Sequence, residues 1–177
     1  MENRYLFREA EKIDVKNVFQ LILERMQWMD KKAITQWNSA HYDQIYPLSY
    51  YEAKREAGEL FVLWDTCHQE IVSAGVLLEQ DERWSDSSPS LYLHNFVSKL
   101  SSNAGANFLK YAELLAKQKQ KQFLRLDCAI HNSKLASYYE KLGFQAVGTC
   151  KEGDYKGILQ QKKISEFLLK KPCIITN

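Results

Sequence analysis

The sequence predicts an α/β chain of the α+β kind, a mixed sheet whose parallel crossover lies in its second half. Strand-like apolar runs recur along the chain, and they are separated by segments with apolar residues at three- and four-residue spacing. The order is strand, two helices, two or three antiparallel-type strands, and then strand, helix, strand, helix, strand. With 177 residues, 45% hydrophobic and 26% charged, 7 Gly and 3 Pro, the composition is that of an ordinary globular protein. It suggests one domain over residues 1–165 and a charged tail over 166–177.

Each element has its own signal. Residues 4–9 (RYLFRE) read as a short strand. Asp14 is expected to N-cap a helix that carries Val15, Val18, Phe19, Ile22, Met26 and Met29 on one face. The pattern breaks over 30–47, a polar and aromatic stretch with Trp37, His41, Tyr42 and Tyr46. A short helix then begins near Ser49 and ends before Gly58. Residues 60–64 and 71–79 form a hairpin around a polar turn, 80–89 (QDERWSDSSP) is loop by composition, and 91–98 (LYLHNFVS) is a central strand. A helix over 104–120, a strand over 123–129 and a helix over 132–142 stopped by Gly143 follow. Residues 144–150 and 157–164 are the last strands.

Several classes are excluded. The 24 basic against 22 acidic residues give a charge of +2, too small for a nucleic-acid footprint. The longest near-apolar stretch, 71–78, has eight residues, against about 20 needed to span a bilayer. No membrane association is expected. The first residues, MENR, carry no signal-peptide pattern, so the expected location is cytoplasmic. Cys67, Cys128, Cys150 and Cys173 form no C-x-x-C pair and read as free thiols rather than a zinc site or disulfide framework. No metal is expected.

A crossover helix places ligand chemistry at the carboxyl end of the central strand, where a helix N-terminus offers free backbone donors. Ser101, Ser102, Asn103, Ala104, Gly105 and Ala106 occupy that turn. A helix cap followed by small packing residues explains them equally.

The most specific run is 132–144, NSKLASYYEKLGF, which follows the strand phrase F-L-R-L-D at 123–127. In the form N-x-x-x-x-x-x-Y-E-K-L-G-F it closely resembles the Gcn5-related N-acetyltransferase superfamily. The element order matches over essentially the whole chain, and Gln36-Trp37-Asn38 with Tyr46-Pro47 resembles one of its subgroups. The resemblance implies a central mixed, mostly antiparallel sheet of six to seven strands with a splayed parallel pair, flanked by about four helices. It implies acetyl-CoA as co-substrate, its pantetheine paired to backbone at Phe96, Val97 and Ser98, and its pyrophosphate on the amides of residues 101–106. Asn132 then corresponds to the Asn near the pantetheine, and Tyr139 to the Tyr that protonates the departing thiolate. An aromatic ring on a buried helix face would also explain Tyr139.

A base must take the proton of the attacking amine, and His94 and Glu79 are the candidates. A structural His and a solvated Glu are the plain alternatives. The family turn reads Q/R-x-x-G-x-G/A, whereas this chain has Ser101 at the first place, Ala104 where the first Gly belongs and Ala106 at the last. Two readings follow: an acetyltransferase acting on a primary amine of a small molecule or peptide, or a degenerate fold that binds a ligand or partner without turnover. A groove acting on protein N-termini is a third. Trp28, Trp37, Tyr42, Tyr46 and Trp84 lie where the family walls its acceptor, and Asp81, Glu82 and Asp86 could meet a cationic amine. Homodimers are common in the family.

Overall fold

The computed structural model describes residues 4–100 and 103–165. Ser101, Ser102, Cys173 and the rest of the 166–177 tail lie outside them. Seven strands, β1 (Tyr5–Glu9), β2 (Leu60–Asp65), β3 (Glu70–Leu78), β4 (Ser90–Ser98), β5 (Phe123–Ala129), β6 (Gln145–Glu152) and β7 (Tyr155–Lys163), form one sheet in the order β1-β2-β3-β4-β5-β7-β6. Every neighbouring pair is antiparallel except β4 and β5. Among the described residues five helices accompany the sheet: α1 (Asp14–Lys31), α2 (Tyr42–Ile45), α3 (Leu48–Glu56), α4 (Ala104–Gln118) and α5 (Ser133–Lys141).

The period-2 alternation of the strands splits the core in two. Phe61, Leu63, Leu91, Leu93, Leu124 and Leu126 pack on one face with Phe108 of α4 and Tyr139 of α5. Leu60, Val62, Ala74, Val76 and Val97 pack on the other with Val18 and Ile22 of α1 and Tyr51 of α3.

Four expectations need correction. Asp14 is the first helical residue rather than the N-cap, which is Ile13. Its carboxylate is drawn backwards, accepting from the Glu11 amide at 2.8 Å and from Arg8 Nη1 at 2.5 Å. The stretch 30–47 hides a fifth helix, the single turn α2, entered through His41 in the left-handed region at φ 50°. Such a turn is too short to show a hydrophobic period. Finally, α3 begins at Leu48, because Pro47 in an extended conformation occupies its N-cap, and β3 ends at Leu78, one residue before Glu79.

Two features position the site. Asn95 adopts φ 49°, and there Gly75 of β3 faces two residues of β4, since Ala74 pairs with Val97 while Val76 pairs with His94. This bulge turns the last residues of β4. In addition, the parallel ladder runs from Ser90↔Phe123 only to Leu93↔Leu126, although both strands continue. Past that point the sheet is open between β4 and β5. Among the described residues no helix is long and apolar enough to cross a membrane.

Candidate active site

Where β4 and β5 part, a cleft of about 330 Å3 is lined by Phe96, Val97 and Ser98 of β4 and by Asn132, Tyr138 and Tyr139 at α5. These include five residues that the sequence singles out. Arg25 and Trp28 of α1 and Trp37 form the opposite wall. Arg25 stacks on Trp28 at 5.0 Å and donates through Nη2 to the Ser98 carbonyl. No sequence signal separates Arg25 from the other polar positions of α1.

The N-terminus of α4 lies behind three cleft-lining residues, with Gly105 against Tyr138, Ser98 and Phe96. Asn103 is left-handed at φ 49° and makes no side-chain cap. The Asn107 amide donates to the Asn103 carbonyl, so the amides of Ala104, Gly105 and Ala106 precede that bond. Ala104 is fully buried in the core beneath α4, so its methyl faces the sheet and not the turn. Gly105 is the position where space matters: a Cβ there would lie 3.0 Å from Tyr138 Oη and 3.1 Å from Ser98 Oγ.

Asn132 shapes the wall rather than reaching into it. Its Oδ1 accepts from the Leu135 amide at 3.1 Å, which N-caps α5, and its Nδ2 donates to Gln36 Oε1 at 2.9 Å. Tyr139 is 5% exposed, with its ring against Tyr138 (5.5 Å) and Phe144 (5.8 Å). Among the described residues its hydroxyl has no hydrogen-bond partner. Burial, reinforced by the nearby Cys128 thiol, Tyr138 and Asp127, pushes it far above the usual phenol range. It therefore stays protonated at neutral pH.

A polar cluster stands at the fork itself. His94 and Asp127 are the residues next after the last parallel pair, Leu93 and Leu126. Asp81 Oδ2 lies 2.9 Å from His94 Nε2, and its Oδ1 accepts from the Arg83 amide at 3.0 Å. Burial alone would raise the Asp81 carboxyl, but the hydrogen bonds from His94 and the Arg83 amide outweigh it and leave it lowered. Arg83 Nη1 donates to Asp127 Oδ1 at 2.9 Å and lies 3.4 Å from His94 Nδ1, while Nη2 and Nε hold Glu152 Oε2 at 2.5 and 3.1 Å. Burial works against the Arg83 charge, but Asp127, Glu152 and Asp81 prevail and raise its pKa. Tyr155 donates its hydroxyl to Asp127 Oδ2.

The loop 80–89 that carries Asp81 and Arg83 is clamped to the sheet. Arg125, 2% exposed, grips Asp86 at 3.0 and 2.9 Å under the ring of Trp84 at 4.3 Å. Trp84 thus lines a separate hollow of about 550 Å3 with Arg125 and Gln161, away from the cleft. Tyr42 and Tyr46 stack behind Trp37 instead of lining the cleft, at successive ring separations of 4.4 and 4.7 Å. The Asn95 side chain fastens this column to the bulge, donating to Tyr42 Oη at 2.6 Å and accepting from Tyr50 Oη at 2.9 Å.

Glu79 is not brought to this site. Leu78 pairs with Tyr92, so the antiparallel register carries Glu79 to the opposite end of β4 from Ser98. There Lys119 and Lys121 each hold one carboxylate oxygen at 2.7 Å and keep its pKa down to about 2. Its contribution is complete above the unfolded carboxylate value of about 4.3 and is lost as pH falls from there toward 2. Because Glu79 is 51% exposed, Glu79→Gln should cost under about 1 kcal/mol in urea denaturation at pH 7. It should leave ligand binding in the cleft unchanged; a large drop in that affinity would return Glu79 to the site.

No protein-family model matches the chain. A protein of Bacillus subtilis (strain 168), the uncharacterized N-acetyltransferase YesJ, is 24% identical over 151 residues, 79% of this chain and 81% of that one. An acetyltransferase of the GNAT family from Listeria monocytogenes 4b F2365 has a similar solved structure, with a TM-score of 0.73 and 23% identity over 90% of this chain and 94% of that one. The PaiA N-acetyltransferase of Thermoplasma acidophilum, solved in complex with coenzyme A, gives a TM-score of 0.69 at 16% identity over 92% of this chain and 99% of that one. The chain has the Gcn5-related N-acetyltransferase fold.

Proposed function

We propose that this protein is an N-acetyltransferase that moves the acetyl group of acetyl-CoA to a primary amine of a small molecule or peptide, with Tyr139 as general acid. The observation that carries this reading is the cleft at the β4–β5 fork, which Phe96, Val97 and Ser98 of the strand edge line together with Tyr139, a protonated phenol with no hydrogen bond among the described residues. The cleft fits the co-substrate. Phe96, Val97 and Ser98 lie beyond the parallel ladder and pair with no residue of β5, the Ser98 carbonyl being held by Arg25, the amides of Ala104, Gly105 and Ala106 offer donors with the favourable end of the helix dipole, and Gly105 leaves the gap that a Cβ would fill. Bound there, acetyl-CoA supplies the thioester carbonyl that the amine attacks. His94 takes the proton that the incoming ammonium must lose, and Tyr139 supplies the proton that the leaving sulfur requires. The buried environment keeps that proton on Tyr139 until it is needed.

Titration calorimetry with acetyl-CoA, followed by thiol release over a panel of primary amines, tests the reading. Micromolar binding with amine-dependent release is expected. No binding at millimolar concentration overturns it and leaves a fold that binds without turnover. Within the same titration, Gly105→Val should weaken acetyl-CoA at least tenfold, since overfilling a packed gap costs about 1–3 kcal/mol and about 1.4 kcal/mol is a factor of ten. Undiminished affinity would place the co-substrate elsewhere.

A further inference from the structure

The two neighbours of the His94 ring select one tautomer between them. A carboxylate only accepts, so Asp81 Oδ2 at 2.9 Å requires a proton on Nε2. A guanidinium only donates, so Arg83 Nη1 at 3.4 Å faces a bare Nδ1. Both come from one loop, and that loop is fixed independently by the Arg125–Asp86 pair. The pair is also sheltered: the side chains of His94 and Asp81 are 15% and 9% exposed.

We infer that Asp81 is a positioning residue for His94, fixing the Nε2–H tautomer so that Nδ1 is the atom that takes the acceptor's proton, at the place where Arg83 Nη1 now stands. This rests on the acetyltransferase reading above. Arg83 occupies Nδ1 as a cationic N–H donor does, and an acceptor ammonium is another such donor. When it displaces Nη1, Arg83 remains tethered to Glu152 through Nε and Nη2. One ammonium N–H bond then breaks and an Nδ1–H bond forms. The positive charge passes to the imidazolium, the freed nitrogen lone pair makes the C–N bond as the C–S bond breaks, the departing thiolate takes the Tyr139 proton, and the resulting phenolate takes the second N–H proton that the new amide nitrogen sheds. Asp81 gains no proton; its charge stabilises the imidazolium through the Nε2–H bond.

The charged and titratable groups around His94 come from several elements. Asp81 and Arg83 reach it from the loop, and behind Arg83 stand Asp127 of β5, Glu152 and Cys150 of β6, Tyr155 of β7 and Tyr50 of α3. Only Asp81 touches Nε2, so its loss removes the carboxylate that most favours the charged ring.

The test is a long-range 15N–1H correlation on the full chain labelled with 15N-histidine, with His94 assigned by His94→Gln. The wild-type protein should show neutral His94 protonated on Nε2. Asp81→Asn, whose amide can donate as well as accept, should remove that preference for Nε2–H, and Asp81→Glu should restore it. With acetyl-CoA and the best amine of the panel, Asp81→Asn should lower kcat at least tenfold and leave KM for acetyl-CoA unchanged. A wild-type Nδ1–H tautomer, or an unchanged Nε2–H preference in Asp81→Asn, overturns the assignment, and the wild-type spectrum decides the tautomer even if that variant does not fold. No turnover in the wild-type protein overturns the acetyltransferase reading instead, and the base role with it.

Discussion

Tyr139→Phe should lower kcat about 100-fold, within the range for loss of a positioned general acid, while leaving KM for acetyl-CoA and thermal stability near their wild-type values. The separation of these effects comes from the geometry of one side chain. The ring is core, packed against Tyr138 and Phe144, and Phe retains every one of those contacts. The hydroxyl makes no hydrogen bond among the described residues, so its removal strands no partner. A tyrosine serving only as core filler would therefore be replaced by Phe silently. Steady-state thiol release alongside thermal melts checks the result, and full turnover in Tyr139→Phe would sink the acid role. Tyr138→Phe is the internal control. Its hydroxyl is the group nearest the gap at Gly105, so its loss should act on KM for acetyl-CoA and spare kcat.

The readability of this fold and site follows from which interactions are local in the chain. Helix and strand periods are local, which is why the stripe from Val15 to Met29 and the alternation of Leu124 and Leu126 with Arg125 and Asp127 were legible. The run from Asn132 to Phe144 stood out through its resemblance to a family motif, and that motif is local because the cap Asn132, the helix α5 and Gly143 at φ 91° are contiguous in the chain. His94 could be named but not its partner: Asp81 lies 13 residues away in a loop, and loops have no period to read. Glu79 looked equivalent to His94 for a related reason. Which end of the sheet a strand terminus reaches depends on antiparallel register, and the two lysines that hold it lie about 40 residues on. Asn95 left the faintest trace, one amide in an apolar strand, although Asn tolerates positive φ better than most residues. Its bulge is nevertheless what turns the strand edge toward the cleft.

One buried ring packs against that bulge, and removing it should produce the largest loss of stability. Phe108→Ala is expected to cost about 3–5 kcal/mol, the usual penalty for deleting a fully buried phenylalanine. Phe108 has no exposed surface and joins three strands: Phe7 of β1 meets it edge-on at 5.2 Å, Phe96 of β4 tilts against it at 5.1 Å, and its Cζ would lie 3.2 Å from a Cβ at Gly75 of β3. Gly75 faces the bulge, so the ring, together with Leu93 Cδ1, which would lie 2.7 Å from that Cβ, fills the space left by the missing side chain where β4 changes direction. Urea denaturation should show a lower midpoint with an unchanged slope. Because native domains are stable by only about 5–15 kcal/mol, Phe108→Leu, expected to cost under about 1.5 kcal/mol, keeps the question open to measurement if the alanine variant does not fold. Phe96 lines the cleft, so losing its neighbour should also raise KM for acetyl-CoA more than it lowers kcat. A loss below about 1 kcal/mol in Phe108→Ala would mean that the strands close over the gap, and the bulge would then owe its shape to the Asn95 bonds with Tyr42 and Tyr50 alone.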